Sequence, residues 1–234
     1  MKKVISIKFF DIVTEYRELF SSRQSMLTVI ISFLFFTVSL FINFFAGTYA
    51  TEIAGNPVPD LILSNFRRIN TNWIFVQGSI IFWIFVIFLL IISPKRAPFV
   101  LKSIALFILV RSIFVTLTHL GPFPDRNFIE SNDILKKLTF GGDLFFSGHT
   151  GLPFLLGLVF WRDKVLRYFF IICSLIFGVA VLLGHFHYSI DVFAAFFITY
   201  SIYHLARRCF PKDYILFLTH RPVFDLFQIA ERQP

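Results

Sequence analysis

A chain of 234 residues with 56% hydrophobic and 15% charged residues and a mean hydropathy of +0.75 carries far more apolar surface than a core of this size can bury. That excludes a water-soluble globular protein and points to an integral membrane protein. The formal charge of +8 is spread along the chain and forms no single basic face, so no nucleic acid partner is expected, and the two cysteines, Cys173 and Cys209, imply no disulfide framework.

The roughly helical spacing of Val4, Ile7, Phe9, Phe10, Ile12, Val13, Tyr16, Leu19 and Phe20 among charges predicts an amphipathic helix on the membrane surface over residues 1–22. No apolar stretch with a small-residue cleavage site precedes the first span, which therefore reads as an uncleaved anchor. The expected fold is all-α: a polytopic membrane protein with six transmembrane helices over residues 24–206, then a cytosolic tail over 207–234. Span one runs without charge from Gln24 to Ala50, longer than the roughly 20 residues a crossing helix needs. Gly55-Asn56-Pro57-Val58-Pro59-Asp60 interrupts it, since its prolines forbid a continuous helix. Span two is Trp73 to Ser93, stopped by Pro94-Lys95-Arg96. Span three runs from Phe99 to Leu120 with Arg111 in its middle. After an irregular connection from Gly121 to Lys137, span four covers Ser147 to Trp161, span five Leu166 to Gly184 and span six Ser189 to Ala206. The last two read as short, as polar span ends inside a protein-lined cavity would be.

Basic residues set the orientation. Lys2, Lys3, Lys8, Arg17 and Arg23 lie on the same side as Lys95, Arg96 and Lys102, then Arg162, Lys164 and Arg167, then Arg207, Arg208, Lys212, Arg221 and Arg232. The other side holds only Arg67, Arg68, Arg126, Lys136 and Lys137. Both termini are thus expected in the cytosol, with Asp60, Asp143, His149, His187 and Asp191 gathered at the external or lumenal face.

Two stretches carry the chemistry: Gly142-Asp143-Leu144-Phe145-Phe146-Ser147-Gly148-His149-Thr150 and His185-Phe186-His187-Tyr188-Ser189-Ile190-Asp191. Ionisable groups at the mouth of a membrane helix are costly and tend to be kept for a task. His187 and Asp191 are four apart, so on a helix the carboxylate can orient one imidazole nitrogen and leave the other as nucleophile. His149 opens span four, where Ser147 and Gly148 can offer backbone N–H groups to an anion. Two histidines and an aspartate suit covalent phosphoryl transfer: one imidazole attacks phosphorus, and the other protonates the leaving alcohol and deprotonates the incoming one. Arg111 would neutralise the phosphoryl oxygens, and would pair with Asp60 or Asp143 while the site is empty. Asp143 either orients His149 or binds a donor headgroup, Asp60 holds the rim or only makes a turn, and His185 extends the catalytic group or caps the helix. His119 and His204, taken alone, read as packing or interfacial residues.

Together these stretches resemble the two signature motifs of the sphingomyelin synthases, a branch of the type 2 phosphatidic acid phosphatase superfamily. Pro57-Val58-Pro59-Asp60 is similar to that family's proline-aspartate motif, and Arg111-Ser112-Ile113-Phe114-Val115-Thr116 to its arginine-threonine motif. The resemblance implies His187 as nucleophile, Asp191 as its partner and His149 as acid and base, with Tyr188 and Phe186 among the substrate-binding positions. Phe186 stands where the eukaryotic synthases carry an acidic side chain. No cofactor or metal is implied. The partners implied are a phospholipid donor and a lipid alcohol acceptor, ceramide or diacylglycerol, within the membrane, and a homo-oligomer is compatible with the chain. A lipid phosphatase or phospholipase C-type hydrolase with water as acceptor is the alternative function, and a transporter or channel in which the histidines bind a proton or metal is a second.

Overall fold

The computed structural model describes residues 2–126 and 143–219, and for residues 2–11 the backbone alone. The motif residue Gly142, together with Lys136 and Lys137 and the tail beyond residue 219, lies outside the described residues.

The described residues form helices α1 (Lys2–Ser21), α2 (Arg23–Glu52), α3 (Ser79–Ile92, entered through a π-helical turn, Ile74–Gly78), α4 (Ala97–Leu117), α5 (Gly148–Val159), α6 (Lys164–Leu183), α7 (Ser189–Cys209) and α8 (Pro211–Thr219). No strand occurs among them. Five elements are long and apolar enough to cross a membrane: α2, α3 with its π turn, α4 with the turn before it, α6 and α7. One expected feature changes. The fifth and sixth spans, α6 and α7, have 20 and 21 residues and are of full length; the short one is the fourth, α5, with 12 residues. At 1.5 Å per residue α5 reaches only about 18 Å, which it can afford because it lies inside the bundle between α4, α6 and α7. The segment following α7 also folds, as α8, and packs on the core.

Since lipid is as apolar as leucine, helix association in a membrane rests on close fit. α2 buries Ser32, Ser39, Ala46, Gly47 and Ala50, a stripe of small residues that lets its backbone approach α4. The serine hydroxyls stay satisfied by donating within the helix, Ser32 to the Thr28 carbonyl (2.6 Å) and Ser39 to that of Phe36 (2.7 Å). α3 leans on α6 through rings: Phe82 meets Phe170 and Phe177 edge-on with centroids 5.9 and 5.8 Å apart, and Phe85 meets Phe169 at 4.7 Å. Its other face, with Ile81, Ile84, Ile87 and Phe88, is exposed, as a lipid-facing wall should be.

The two ends of the bundle differ. At one, Tyr16 of α1 donates to the Ile91 carbonyl (3.0 Å), Glu18 pairs with Lys95, and the buried pair Lys102–Asp213 (2.7 Å) fixes α8. Phe217 of α8 adds to this by covering the Arg96 guanidinium, which lies 5.4 Å from its ring centroid. At the other end the connections 53–72 and 118–126 are zipped together: Gly55 N–H donates to the His119 carbonyl (2.8 Å) and Gly121 N–H to that of Asn56 (3.4 Å). Glycine is required at residue 121, because a Cβ there would overlap the Gly55 carbonyl. All four motifs meet at this second end.

Candidate active site

The site forms where the starts of α5 and α7 meet, backed by Arg111 of α4. Ser147 is the N-cap of α5: its buried hydroxyl accepts from Thr150 N–H (3.4 Å) and from the Thr150 hydroxyl (3.2 Å). That leaves the N–H groups of Gly148 and His149 among those a helix start provides without an intrahelical partner. α7 begins with a capping box, in which Asp191 Oδ2 accepts the Tyr188 N–H at 2.9 Å. Ser147 N–H donates to the Asp191 carbonyl (3.1 Å) and locks the two helix starts together.

His187 is buried, and its Nδ1 faces the Leu144 carbonyl at 2.9 Å and Asp191 Oδ2 at 3.4 Å. Both partners are acceptors, so Nδ1 carries the proton and donates, which leaves Nε2 with its lone pair. Asp191 therefore shares with a backbone carbonyl the orienting role that the sequence gives it alone, and Leu144 is the closer partner. Asp191 is fully buried, with its second oxygen, Oδ1, making no hydrogen bond.

Arg111 reaches the α5 start with Nε donating to the Phe146 carbonyl (2.7 Å) and one terminal nitrogen to the Asp143 carbonyl (3.2 Å), while the other pairs with the Asp143 carboxylate at 2.6 Å. Of the two carboxylates the sequence offers as its partner, the structure selects Asp143. The guanidinium lies against Gly148, so it sits at the helix start where the unpaired N–H groups are.

His149 stacks on Phe75, with ring centroids 4.0 Å apart and planes 25° apart, and the other side of Phe75 stacks on Phe186 at 4.3 Å and 26°. Phe75 belongs to the π turn that enters α3. No sequence motif singles it out; the signal that could have found it is its place two residues into an apolar span beside Trp73. A cavity of about 550 Å³ is lined by Arg111, Arg126, Asp143, Gly148, His149 and His187 together with the apolar Phe75, Phe82, Trp83, Leu152, Pro153, Phe177 and Phe186. Both imidazoles thus face one space that is otherwise mainly apolar and aromatic, as ligand-binding cavities are.

Among the sequence candidates, Arg111, Asp143, Gly148, His149, Phe186 and His187 line this cavity, while Asp60, Ser147, His185, Tyr188 and Asp191 stand behind it. Asp60 is an anchor: Oδ1 accepts from Ile62 and Leu63 N–H (2.8 and 3.0 Å), and Oδ2 from the N–H and hydroxyl of Ser189 (2.7 and 2.8 Å). Burial raises its pKa, but these donors outweigh burial and hold the carboxyl below its usual range. Tyr188 donates its hydroxyl to the Gly121 carbonyl (2.8 Å) and accepts from Val58 N–H (3.2 Å), pinning both connections to the α7 start. His185 is buried at φ 55°, with Nδ1 making no hydrogen bond and its ring edge-on to Phe123 at 5.3 Å. A positive φ costs a non-glycine residue on the order of 1 kcal/mol or more, and here it turns the chain between α6 and His187. Arg126, which no motif marks, joins the cavity rim because Arg68 donates to its carbonyl (3.2 Å).

Comparison with known proteins adds one finding for this part of the chain. No curated protein and no solved structure gives a significant match. Residues 141–208, which hold α5, α6 and nearly all of α7, match the family model described as PAP2 superfamily C-terminal. The match supports the type 2 phosphatidic acid phosphatase superfamily, whose members are mostly membrane enzymes acting on phospholipids, as the group this segment is similar to.

Proposed function

We propose that the protein is a membrane phosphotransferase that moves a phospho-headgroup from a glycerophospholipid to a lipid alcohol, ceramide or diacylglycerol, as sphingomyelin synthase-like enzymes do. The observation that carries this reading is the pairing of His187, its Nδ1 held by two acceptors, with His149 on the wall of one lipid-sized cavity.

In the first step His187 Nε2 attacks phosphorus, and the bond from phosphorus to the diacylglycerol oxygen breaks as His149 gives that oxygen a proton. In the second, His149 takes the proton of the acceptor hydroxyl, whose oxygen attacks phosphorus and releases His187. Leu144 and Asp191 keep His187 in the reactive tautomer throughout. Arg111 and the N–H groups of Gly148 and His149 neutralise the phosphoryl oxygens where negative charge accumulates. Asp143 holds Arg111 in position, Phe75 and Phe186 support the His149 ring, and Asp60, Ser147, His185 and Tyr188 hold the frame. By the distribution of basic residues, this end of the bundle faces the external or lumenal side and the termini the cytosol.

The test is reconstitution into liposomes with headgroup-labelled phosphatidylcholine, phosphatidylethanolamine or phosphatidylglycerol, with and without ceramide or diacylglycerol, beside His187→Ala. Label appearing in a new lipid that depends on the acceptor and is lost in His187→Ala supports the transferase. Release of label into water in every condition assigns the hydrolase instead, and activity unchanged in His187→Ala refutes the mechanism.

A further inference from the structure

The connection leading from α2 to α3 is not a polar surface loop. Its Leu61 is 83% exposed, Phe66 61%, Ile69 52% and Trp73 66%. Four large apolar side chains on one short connection would be an aggregation hazard if they faced water. The hydrogen bonds of the connection fix its depth. Ile69 N–H donates to the carbonyl of Leu183, the last residue of α6, and the Thr71 hydroxyl to that of Ala180, about one turn further in. Asp60, just before Leu61, is bonded to Ser189, the first residue of α7. The connection therefore wraps the end of α6 and the start of α7, two helices long and apolar enough to cross a membrane. It then runs into α3, whose Ile81 and Ile84 continue the exposed apolar face. Arg67 and Arg68, both exposed, follow directly on Phe66, and Arg68 pairs with Asp125 at 3.5 Å.

We propose that residues 61–73 form a rim inserted in the lipid leaflet at the site end of the protein. Leu61, Phe66, Ile69 and Trp73 lie among the upper acyl chains, and Arg67 lies at the phosphates, where a guanidinium on a flexible stem is favoured. The occupant of this surface is phospholipid of that leaflet. Continuity with the α3 wall and the tethers to α6 and α7 favour it over a second copy of the chain or water. Phe75 of the cavity is two residues beyond Trp73, so phospholipid held by the rim lies next to the cavity wall. The proposal concerns where this segment sits and stands whether or not the reaction above is correct.

Spin labels placed one at a time through Leu61→Cys, Phe66→Cys and Ile69→Cys, in a Cys173→Ser, Cys209→Ser protein in phosphatidylglycerol-containing nanodiscs, read the position directly. A label at Ile81→Cys serves as the lipid reference. The expected result at all three positions is greater relaxation by oxygen than by a water-soluble nickel chelate, with a sign matching Ile81→Cys. Greater relaxation by the nickel chelate would place the segment in water and overturn the proposal. Shielding from both reagents with spin–spin broadening would also overturn it, in favour of a second copy. If the cysteine variants do not fold, Phe66→Trp in a protein whose Trp73, Trp83 and Trp161 are replaced by Phe gives a second reading. Quenching by lipids brominated high on the acyl chain should then exceed quenching by iodide at least twofold, and the reverse order rejects the rim.

Discussion

Ser147 donates its backbone N–H to the Asp191 carbonyl across 3.1 Å, so the residue that caps the helix bearing His149 is bonded to the residue four beyond His187. The two halves of the site, separated by more than thirty residues of chain, are held by main-chain atoms that no side-chain substitution removes. Substitutions at the site can therefore test chemistry without first dismantling geometry.

The two histidines should respond differently to the quality of the leaving group. With a lipid donor, both His187→Ala and His149→Ala should lose on the order of 10²-fold or more in rate. A donor with a nitrophenol leaving group needs no proton from His149, so its release should recover substantially in His149→Ala and not in His187→Ala. Nitrophenol release measured at 400 nm decides this, and recovery in His187→Ala but not in His149→Ala would reverse the assigned roles.

Asp191 has two acceptor duties, capping α7 and facing His187, and Leu144 shares only the second. Asp191→Asn keeps an oxygen for the Tyr188 N–H and leaves the Leu144 carbonyl to hold the tautomer, so activity should fall by only about 10- to 100-fold with little change in Tm. Asp191→Ala removes the cap as well, at a cost of about 1 kcal/mol. Activity and Tm should thus separate in the first variant and fall together in the second.

Arg111→Lys preserves the charge and loses the fork. A single ammonium cannot serve the Phe146 carbonyl, the Asp143 carbonyl and the Asp143 carboxylate at once. Activity should drop by about 10²-fold, mainly in kcat, and steady-state kinetics on reconstituted protein would show it.

Asp60 gives the fold an acid-sensitive anchor. Its folded-state pKa lies below the ordinary carboxylate value, so the stability it contributes is fully present above that ordinary value and is lost as pH falls through the folded one. Asp60→Asn should lower Tm at pH 7, and the gap to the native protein should narrow as the pH is taken below about 4. A gap that is constant with pH would rule out the carboxylate as the source.

Gly151 marks the closest approach of α5 to its neighbours, since a Cβ there would come within 2.7 Å of the Phe107 ring and 2.9 Å of the Thr199 hydroxyl. Phe107 is fully buried and has little room to yield. Gly151→Ala should therefore cost about 1–3 kcal/mol, seen as a lower Tm in detergent, although alanine is the better helix former.

Much of this architecture is written in local sequence. Charge-free runs mark the long spans within a few residues, because water-avoidance over about 20 residues is a strong signal, and Arg111, Asp143, Gly148, His149, Phe186 and His187 share a cavity as the motifs suggest. What stays hidden depends on partners distant in sequence. The Leu144 carbonyl is an ordinary backbone atom until the fold brings it to His187. Asp60 looks like a rim carboxylate, and only its contact with Ser189 makes it an anchor. α8 lies in what reads only as a cytosolic tail, and becomes visible only once Lys102 is seen to need Asp213.

The π turn at Ile74–Gly78 fits one more residue into its rise than ordinary α winding would. Winding the same residues as an ordinary α-helix would rotate Phe75 by about 100° relative to Phe82 and Phe85, taking it from between His149 and Phe186. The winding between Phe75 and Phe82 is thus a constrained quantity, whereas the identities of Ile81, Ile84, Ile87 and Phe88 are free to drift among apolar types. Span two should tolerate exchange of letters along its outer face and reject a change of winding near its start.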